Sequence, residues 1–270
     1  MSFKIGDLVT RKSYNNDILF KIININEEVA ILKGVDLRLY ADCTVDDLTK
    51  EDTAYNVNKS DRKIINENIR SLDLNRDEYF YLPGKILHID GDEEYLNRCM
   101  TFYKDLNVKA YGIALKEDEI SKYLNEYLNK YNPDILVVTG HDAFYKKKKD
   151  IDDIDDIDDI DNYQNTKNYI NAVKVARKYE KDQNKLIIIS GACQSNYEEL
   201  IKAGSNFASS PKRINIHALD PAIIASTIAL SVKNKSIDLI PLIEKTKYGA
   251  DGIGGIITNG TMYVGYPRWI

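Results

Sequence analysis

From Lys85 onward the chain alternates short apolar runs with stripes of helical period, and this alternation constrains its fold more than any other feature. KILHID (85–90) precedes a stripe of Leu96, Cys99, Met100, Tyr103 and Leu106, and VKAYGIAL (108–115) precedes Ile120, Leu124, Tyr127, Leu128 and Tyr131. DILVVTG (134–140), a helix near 166–180 and KLIIIS (185–190) follow, then a short helix capped by Asn196 and closed at Gly204. INIHAL (214–219) reads as a further strand, leading into Asp220-Pro221 as an N-cap with proline at the first helical position. Strands apolar throughout are buried on both faces, which requires helices on both sides of a parallel sheet. The fold class expected for residues 83–270 is therefore α/β, with a mainly parallel, flavodoxin-like sheet. Function in such sheets sits beyond the carboxyl ends of the strands.

The chain before this region has a different period. FKIGDLVTRKS, ILFKIININ and EVAILKGVD alternate apolar and polar positions, with Asn15, Asn16, Asp17 and Gly34 as turn residues, which predicts a small SH3-like β-barrel module over residues 1–48. Residues 49–82 read as a helical connecting segment. Inside the α/β region, KKKKDIDDIDDIDDID (146–161) sets four lysines against an Ile-Asp-Asp repeat. Its period suits neither strand nor helix and its carboxylates repel one another, so a solvated low-complexity loop insertion is expected. It lacks the glycine and terminal glutamate of an EF-hand loop, which argues against calcium.

With 37 basic and 42 acidic residues and a net charge of -5, the chain is not built to hold a polyanion, so no nucleic acid partner is expected. Its three cysteines, Cys43, Cys99 and Cys193, form no C-x-x-C pair, which excludes a thiolate zinc site and a disulfide framework and indicates a reducing compartment. The N-terminus MSFKIGDLVTRKS has no apolar signal core and the longest apolar runs are of core-strand length, so the expectation is a cytoplasmic protein with no membrane partner. No metal or cofactor is expected.

Two strand ends carry the residues for chemistry: Gly140-His141-Asp142 and Ser190-Gly191-Ala192-Cys193. A thiol and an imidazole at one edge of a sheet are what covalent acyl transfer needs, because sulfur is a strong nucleophile and imidazole can protonate a leaving amine. The glycines allow sharp turns that leave the N–H groups of Cys193 and its neighbours to bind an oxyanion. An isolated cysteine is ordinarily a small buried hydrophobe, and Cys99 in its helical stripe and Cys43 at the end of the β module fit that description. Cys193 instead lies in a Ser/Gly/Gln-rich turn past its strand. His88 and His217 fall inside expected strands and read as core imidazoles, with His217 the reserve base.

Two rival readings come from other classes. A phosphotransfer receiver would explain Asp90 and Asp92 at the first strand end, but the third strand ends in Thr139, Gly140 and His141 where a phosphoacceptor aspartate belongs. A non-catalytic scaffold would use the β module and the acidic loop to bind partners; on either view the module is expected to hold substrates or localise the chain.

The order His141 then Cys193, 52 residues apart at the ends of consecutive core strands, together with Ala192-Cys193-Gln194, resembles the caspase/clostripain clan of cysteine peptidases. That clan usually has glycine directly after the histidine; here Asp142 takes that place and the second oxyanion N–H. A closer resemblance covers nearly the whole chain. GDLVTRKSYNNDILFKI, LKGVDLRLYADC, YLPGKILHIDGDEEYLNRC, PDILVVTGHDA and SGACQSNYEELIKAGSNFASSPKRINIHALDPA are similar to the YabG family of sporulation-specific proteases of endospore-forming Firmicutes. The resemblance implies a caspase-like peptidase with Cys193 as nucleophile and His141 as its partner. It implies synthesis in the sporulating mother cell, association with the spore coat, and protein substrates among spore coat and germination-related precursors, cut after basic residues. The Asp-rich insertion is not part of that pattern, which makes it a peripheral loop. A preference for Arg or Lys would need a carboxylate in the S1 pocket, for which Asp142, Asp220 and Asp251 are candidates. Asp251 is preferred for its glycine-rich setting, Tyr-Gly-Ala-Asp-Gly-Ile-Gly-Gly. The same preference would make Lys146 to Lys149 an autoprocessing site.

Overall fold

A computed structural model describes residues 3–51, 57–70, 78–145, 157 and 159–268. Among these residues, β1 (Leu8–Arg11), β2 (Phe20–Asn26), β3 (Val29–Gly34), β4 (Tyr40–Thr44) and β5 (Leu48–Lys50) form an antiparallel sheet in the order β4-β3-β2-β1-β5. Period-2 alternation turns Val9, Phe20, Ile22, Ala30, Leu32 and Leu48 into one small core. Helix α1 (Val57–Arg70) follows, and then β6 (Phe80–Leu82).

The apolar runs after Lys85 become β7 (Ile86–Asp90), β8 (Ala110–Ala114), β9 (Ile135–Thr139), β10 (Ile187–Ser190), β11 (Phe207–Ser209) and β12 (Ile253–Gly255). Their order is β8-β7-β9-β10-β11-β12, all parallel except for β12, which runs antiparallel to β11. Counted within this sheet the order is 2-1-3-4-5-6, so the direction of winding reverses between β7 and β9, where a doubly wound sheet opens its crevice. A short strand β13 (Tyr263–Gly265) pairs with β6.

Helices cover both faces because successive strand residues point opposite ways. Ile86, Ile135, Val137, Ile187 and Ile189 pack with α2 (Glu93–Asp105) and α6 (Asp220–Ala229), while Leu87, Ile89, Leu136, Val138 and Ile188 pack with α3 (Glu117–Tyr131), α4 (Thr166–Tyr179) and α5 (Tyr197–Ala203). The last helix, α7 (Leu239–Ile243), adds Leu242 to the first of these layers. Helix α5 is capped as expected, by the Asn196 side chain at one end and Gly204 at φ 115° at the other.

The structure differs from the sequence expectations in three places. Residues 214–219 form no strand, because β11 holds the position beside β10; the segment instead meets the β module, through a Leu37–His217 bridge and hydrogen bonds from Arg38 N–H to Ile216 C=O and from Ala218 N–H to Asp36 C=O. Asp220 is the first residue of α6 and Leu219 is its N-cap, since the Asp220 carboxylate accepts the His217 and Lys247 N–H groups. Within the expected helical connection, Phe80–Leu82 is a strand. Lys146 to Lys149 and most of the Asp-rich insertion lie outside the described residues.

The seam between β module and α/β unit is polar. Arg38 is fully buried; its Nη1 donates to Asp90 Oδ2 at 2.6 Å, and Nε and Nη2 donate to the Ala218 carbonyl at 3.1 and 2.8 Å. Burial alone would lower the guanidinium pKa, but Asp90 more than offsets it and the net direction is up. Arg98 of α2 donates to the Val35 carbonyl and pairs with Asp36 and Asp61, and the Tyr95 hydroxyl donates to the Gly34 carbonyl. Arg38→Met strands the Asp90 carboxylate in the core, which typically costs about 3–5 kcal/mol. A fall of that size in urea unfolding free energy is expected, and a loss below about 1 kcal/mol would show that the seam does not depend on this cation.

Candidate active site

The carboxyl ends of β9 and β10 set the geometry. Their parallel register pairs Val138 with Ser190, and three residues further along each chain stand His141 and Cys193. Two glycines make the turns possible. Gly191 has φ 95°, and a Cβ there would lie 2.7 Å from Leu200 Cδ1; a Cβ on Gly140 would lie 2.5 Å from Glu117 Oε1.

His141 is held from every side. Its N–H donates to Glu117 Oε1 at 2.9 Å, and its carbonyl accepts from Asn165 Nδ2 and the Tyr169 hydroxyl, each at 2.9 Å. The ring stacks on Tyr40 of β4 with centroids 4.0 Å apart, and Tyr95 tilts against it at 5.6 Å. Nε2 lies 3.1 Å from Asp92 Oδ2, whereas Nδ1 is buried and has no hydrogen-bond partner among the described residues. Asp92 caps α2 by accepting the Glu94 and Tyr95 N–H groups, and it also takes Lys33 Nζ at 2.7 Å and the Tyr40 hydroxyl at 3.2 Å. Burial alone would raise its pKa; the hydrogen bond with His141 and the Lys33 ammonium reverse this and hold the carboxyl far below the usual carboxylate range.

Cys193 Sγ is fully buried and accepts the Ile216 N–H at 3.3 Å; burial pushes its pKa up to about 12, so in this closed arrangement it is a neutral thiol. Its turn is tied down on both sides. Ser195 Oγ accepts the Ala192 N–H at 3.0 Å and donates to Asp142 Oδ2 at 2.7 Å, and the Gln194 N–H reaches Ile214 C=O and Ser210 Oγ. Among the described residues, neither the Cys193 nor the Asp142 N–H has an acceptor. The edge therefore presents a thiol, an imidazole with one nitrogen unused, and two undirected backbone donors.

Of the three carboxylates considered for S1, two have structural work. Asp142 Oδ1 accepts the Ala143 and Asn165 N–H groups and Oδ2 the Thr166 and Ser195 hydroxyls, which joins the two strand-end loops. Burial raises its pKa against the effect of those bonds. Asp220 is buried on two backbone donors and burial pushes its pKa up to about 6. Asp251 is exposed, on a turn joined to the site through hydrogen bonds from Lys212 N–H to its carbonyl and from Ser210 N–H to Gly252 C=O.

The remaining histidines are core residues. His88 Nδ1 lies 2.9 Å from the Tyr103 hydroxyl, and burial lowers the ring's pKa. His217 Nδ1 accepts the Leu219 N–H, and burial lowers its pKa to about 4. Asp90 and Asp92, the acids a receiver would need, are both buried and committed to Arg38 and to Lys33 and His141. Sequence reasoning missed Lys33, Arg38, Tyr40 and Tyr95; the first three arrive from the β module, where no motif marks them. The module thus forms a wall of the candidate site.

Two comparisons with known proteins bear on what the chain is similar to. A family model described as YabG peptidase U57 matches residues 4–267. The sporulation-specific protease YabG of Bacillus subtilis (strain 168) is 40% identical over 292 residues, covering 99% of this chain and 99% of that protein. Among the described residues no helix is long and apolar enough to cross a membrane.

Asp142→Ala removes an acceptor from two backbone N–H groups and two hydroxyls. At about 1–3 kcal/mol per stranded buried donor, a loss of several kcal/mol is expected in thermal or urea unfolding. Asp251→Ala, on the exposed turn, should stay within about 0.5 kcal/mol of wild type. Equal stabilities for the two variants would show that Asp142 does not join the loops.

Proposed function

The chain belongs to the YabG peptidase family, and on that footing we propose that this sporulation protease is a cysteine endopeptidase acting through Cys193 and His141. The observation that supports the reading is the β9–β10 register, in which Val138 pairs with Ser190 and His141 and Cys193 each follow three residues later in the chain. The strand order 2-1-3-4-5-6 with its antiparallel last strand supports a caspase-like α/β unit.

In this mechanism Cys193 Sγ attacks the scissile carbonyl carbon while its proton passes to His141 Nδ1. The carbonyl oxygen becomes an oxyanion and takes the N–H groups of Cys193 and Asp142. The tetrahedral intermediate collapses as His141 returns the proton to the leaving amine, giving a thioester and the first product. Water, deprotonated by His141, then hydrolyses the thioester. Because Sγ is covered by the Ile216 backbone, a substrate enters by displacing that segment.

The bond cut lies after Arg or Lys, with Asp251 as the S1 carboxylate: it is the exposed member of the three acids and stands on a glycine-rich rim linked to Ser210 and Gln194. The substrates are spore coat and germination-related precursor proteins, and the enzyme made in the mother cell becomes associated with the coat. The lysine run 146–149 is a site of self-cleavage.

Purified wild type, Cys193→Ala and Asp251→Asn are compared on Arg- and Lys-containing peptides under reducing conditions. Cys193→Ala is expected to lose at least about 10³-fold in kcat/KM, and Asp251→Asn to lose selectivity for basic residues while keeping the slow cleavage of other peptides. Wild-type rates in Cys193→Ala would require a different nucleophile, and unchanged selectivity in Asp251→Asn would place the S1 acid elsewhere.

A further inference from the structure

We propose that Asp92 is a positioning residue of the reaction, holding the His141 ring with its proton on Nε2 and its bare Nδ1 toward the thiol, and that Tyr40 and Lys33 of the N-terminal β module fix Asp92 and the ring in that arrangement. The proposal rests on the reading of Cys193 and His141 as the reacting pair. Which nitrogen of a neutral imidazole carries the proton is set by the hydrogen bond made by the other. The polar neighbours of the Asp92 carboxylate all donate: the Glu94 and Tyr95 N–H groups, Lys33 Nζ, the Tyr40 hydroxyl and His141 Nε2 at 3.1 Å. An acceptor so placed fixes the proton on Nε2. Nδ1, buried and without a partner among the described residues, is then the unprotonated nitrogen.

Capping α2 occupies only Oδ1, through two backbone donors, so capping leaves the Oδ2 contacts with His141 and Tyr40 unexplained. Tyr40 also stacks on the face of the ring it helps to align, while Tyr95 tilts against that ring. During acylation the Sγ proton moves to Nδ1 and the ring becomes an imidazolium whose Nε2 proton stays against Asp92. The Nδ1 proton leaves with the amine as the C–N bond breaks, and Asp92 itself never takes up a proton.

Asparagine caps helices as well as aspartate does, so Asp92→Asn keeps the helix start. Its Oδ1 stays on the Glu94 and Tyr95 N–H groups, and its NH₂ faces His141, which forces Nε2 to accept and moves the ring proton to Nδ1. Full-length wild type and Asp92→Asn are compared by peptide kinetics and by long-range ¹H–¹⁵N correlation of labelled histidine. With only three histidines in the chain, His141→Gln identifies the signal. Expected are a kcat lower by about 10²- to 10⁴-fold with KM within about threefold, and a change of tautomer from Nε2–H to Nδ1–H. An Nε2–H tautomer in both proteins, or a kcat within about threefold of wild type, overturns the proposal. If Asp92→Asn does not fold, Tyr40→Leu decides: a kcat lower by about tenfold at unchanged KM supports the proposal and an unchanged kcat refutes it. Wild-type activity in Cys193→Ala would instead overturn the dyad, and the tautomer measurement would still report on Asp92.

Discussion

A guanidinium shut away from water must be fully matched by acceptors, and the Arg38 side chain, at 0% exposure, is matched by Asp90 and the Ala218 carbonyl. Each of those acceptors leads to one half of the candidate site. Asp90 Oδ1 accepts the Asp92 N–H, which aims Asp92 and through it the His141 ring. The Ala218 carbonyl anchors the segment whose Ile216 N–H lies on Cys193 Sγ, and the same segment hydrogen-bonds to the backbone of Asp36 and Arg38. One buried cation, delivered by a loop of the β module, therefore braces both the Asp92–His141 pair and the segment that covers Cys193. The family resemblance running through both regions is what this dependence would require, since neither region holds its part of the site alone.

The same arrangement explains why the thiol is quiet. Burial raises its pKa to about 12 and outweighs the Ile216 N–H and the Arg38 charge, both of which favour the thiolate. Ile216 covers Cys193 Sγ with its N–H and accepts the Arg38 N–H at its carbonyl, so the cover of the thiol is tied directly to the β module.

The α/β unit could be read from sequence because its information is local: apolar runs that need two covered faces, stripes of helical period, Asn196 and Gly204 at the ends of a short helix. Cys193 and His141 stood out for the same reason, as reactive side chains after glycines at strand ends. INIHAL carried an equally good strand pattern and forms none, because edge position beside β10 is decided by competition between segments; the three residues Phe207, Ala208 and Ser209 take it. Tyr40, Lys33 and Arg38 left no trace because their roles exist only across the seam, each more than 50 residues away in sequence from the aspartate it meets. Asp142 shows the opposite failure: an acid next to a histidine invites a chemical role, and only its donors reveal that it joins two loops.

Four aspartates at this edge are buried, and all pay a desolvation cost that favours the neutral acid. What separates them is the charge of their partners. Asp142 and Asp220 are met by hydroxyls and backbone N–H groups, which carry only partial charge, and the net direction of their pKa is upward. Asp90 and Asp92 are met by Arg38 and by Lys33 with His141, and theirs is downward. On the β7 side the carboxylates have the Arg38 and Lys33 cations to set against burial, whereas Asp142 and Asp220 have only neutral donors, and both of these acids act to raise the pKa of the Cys193 thiol.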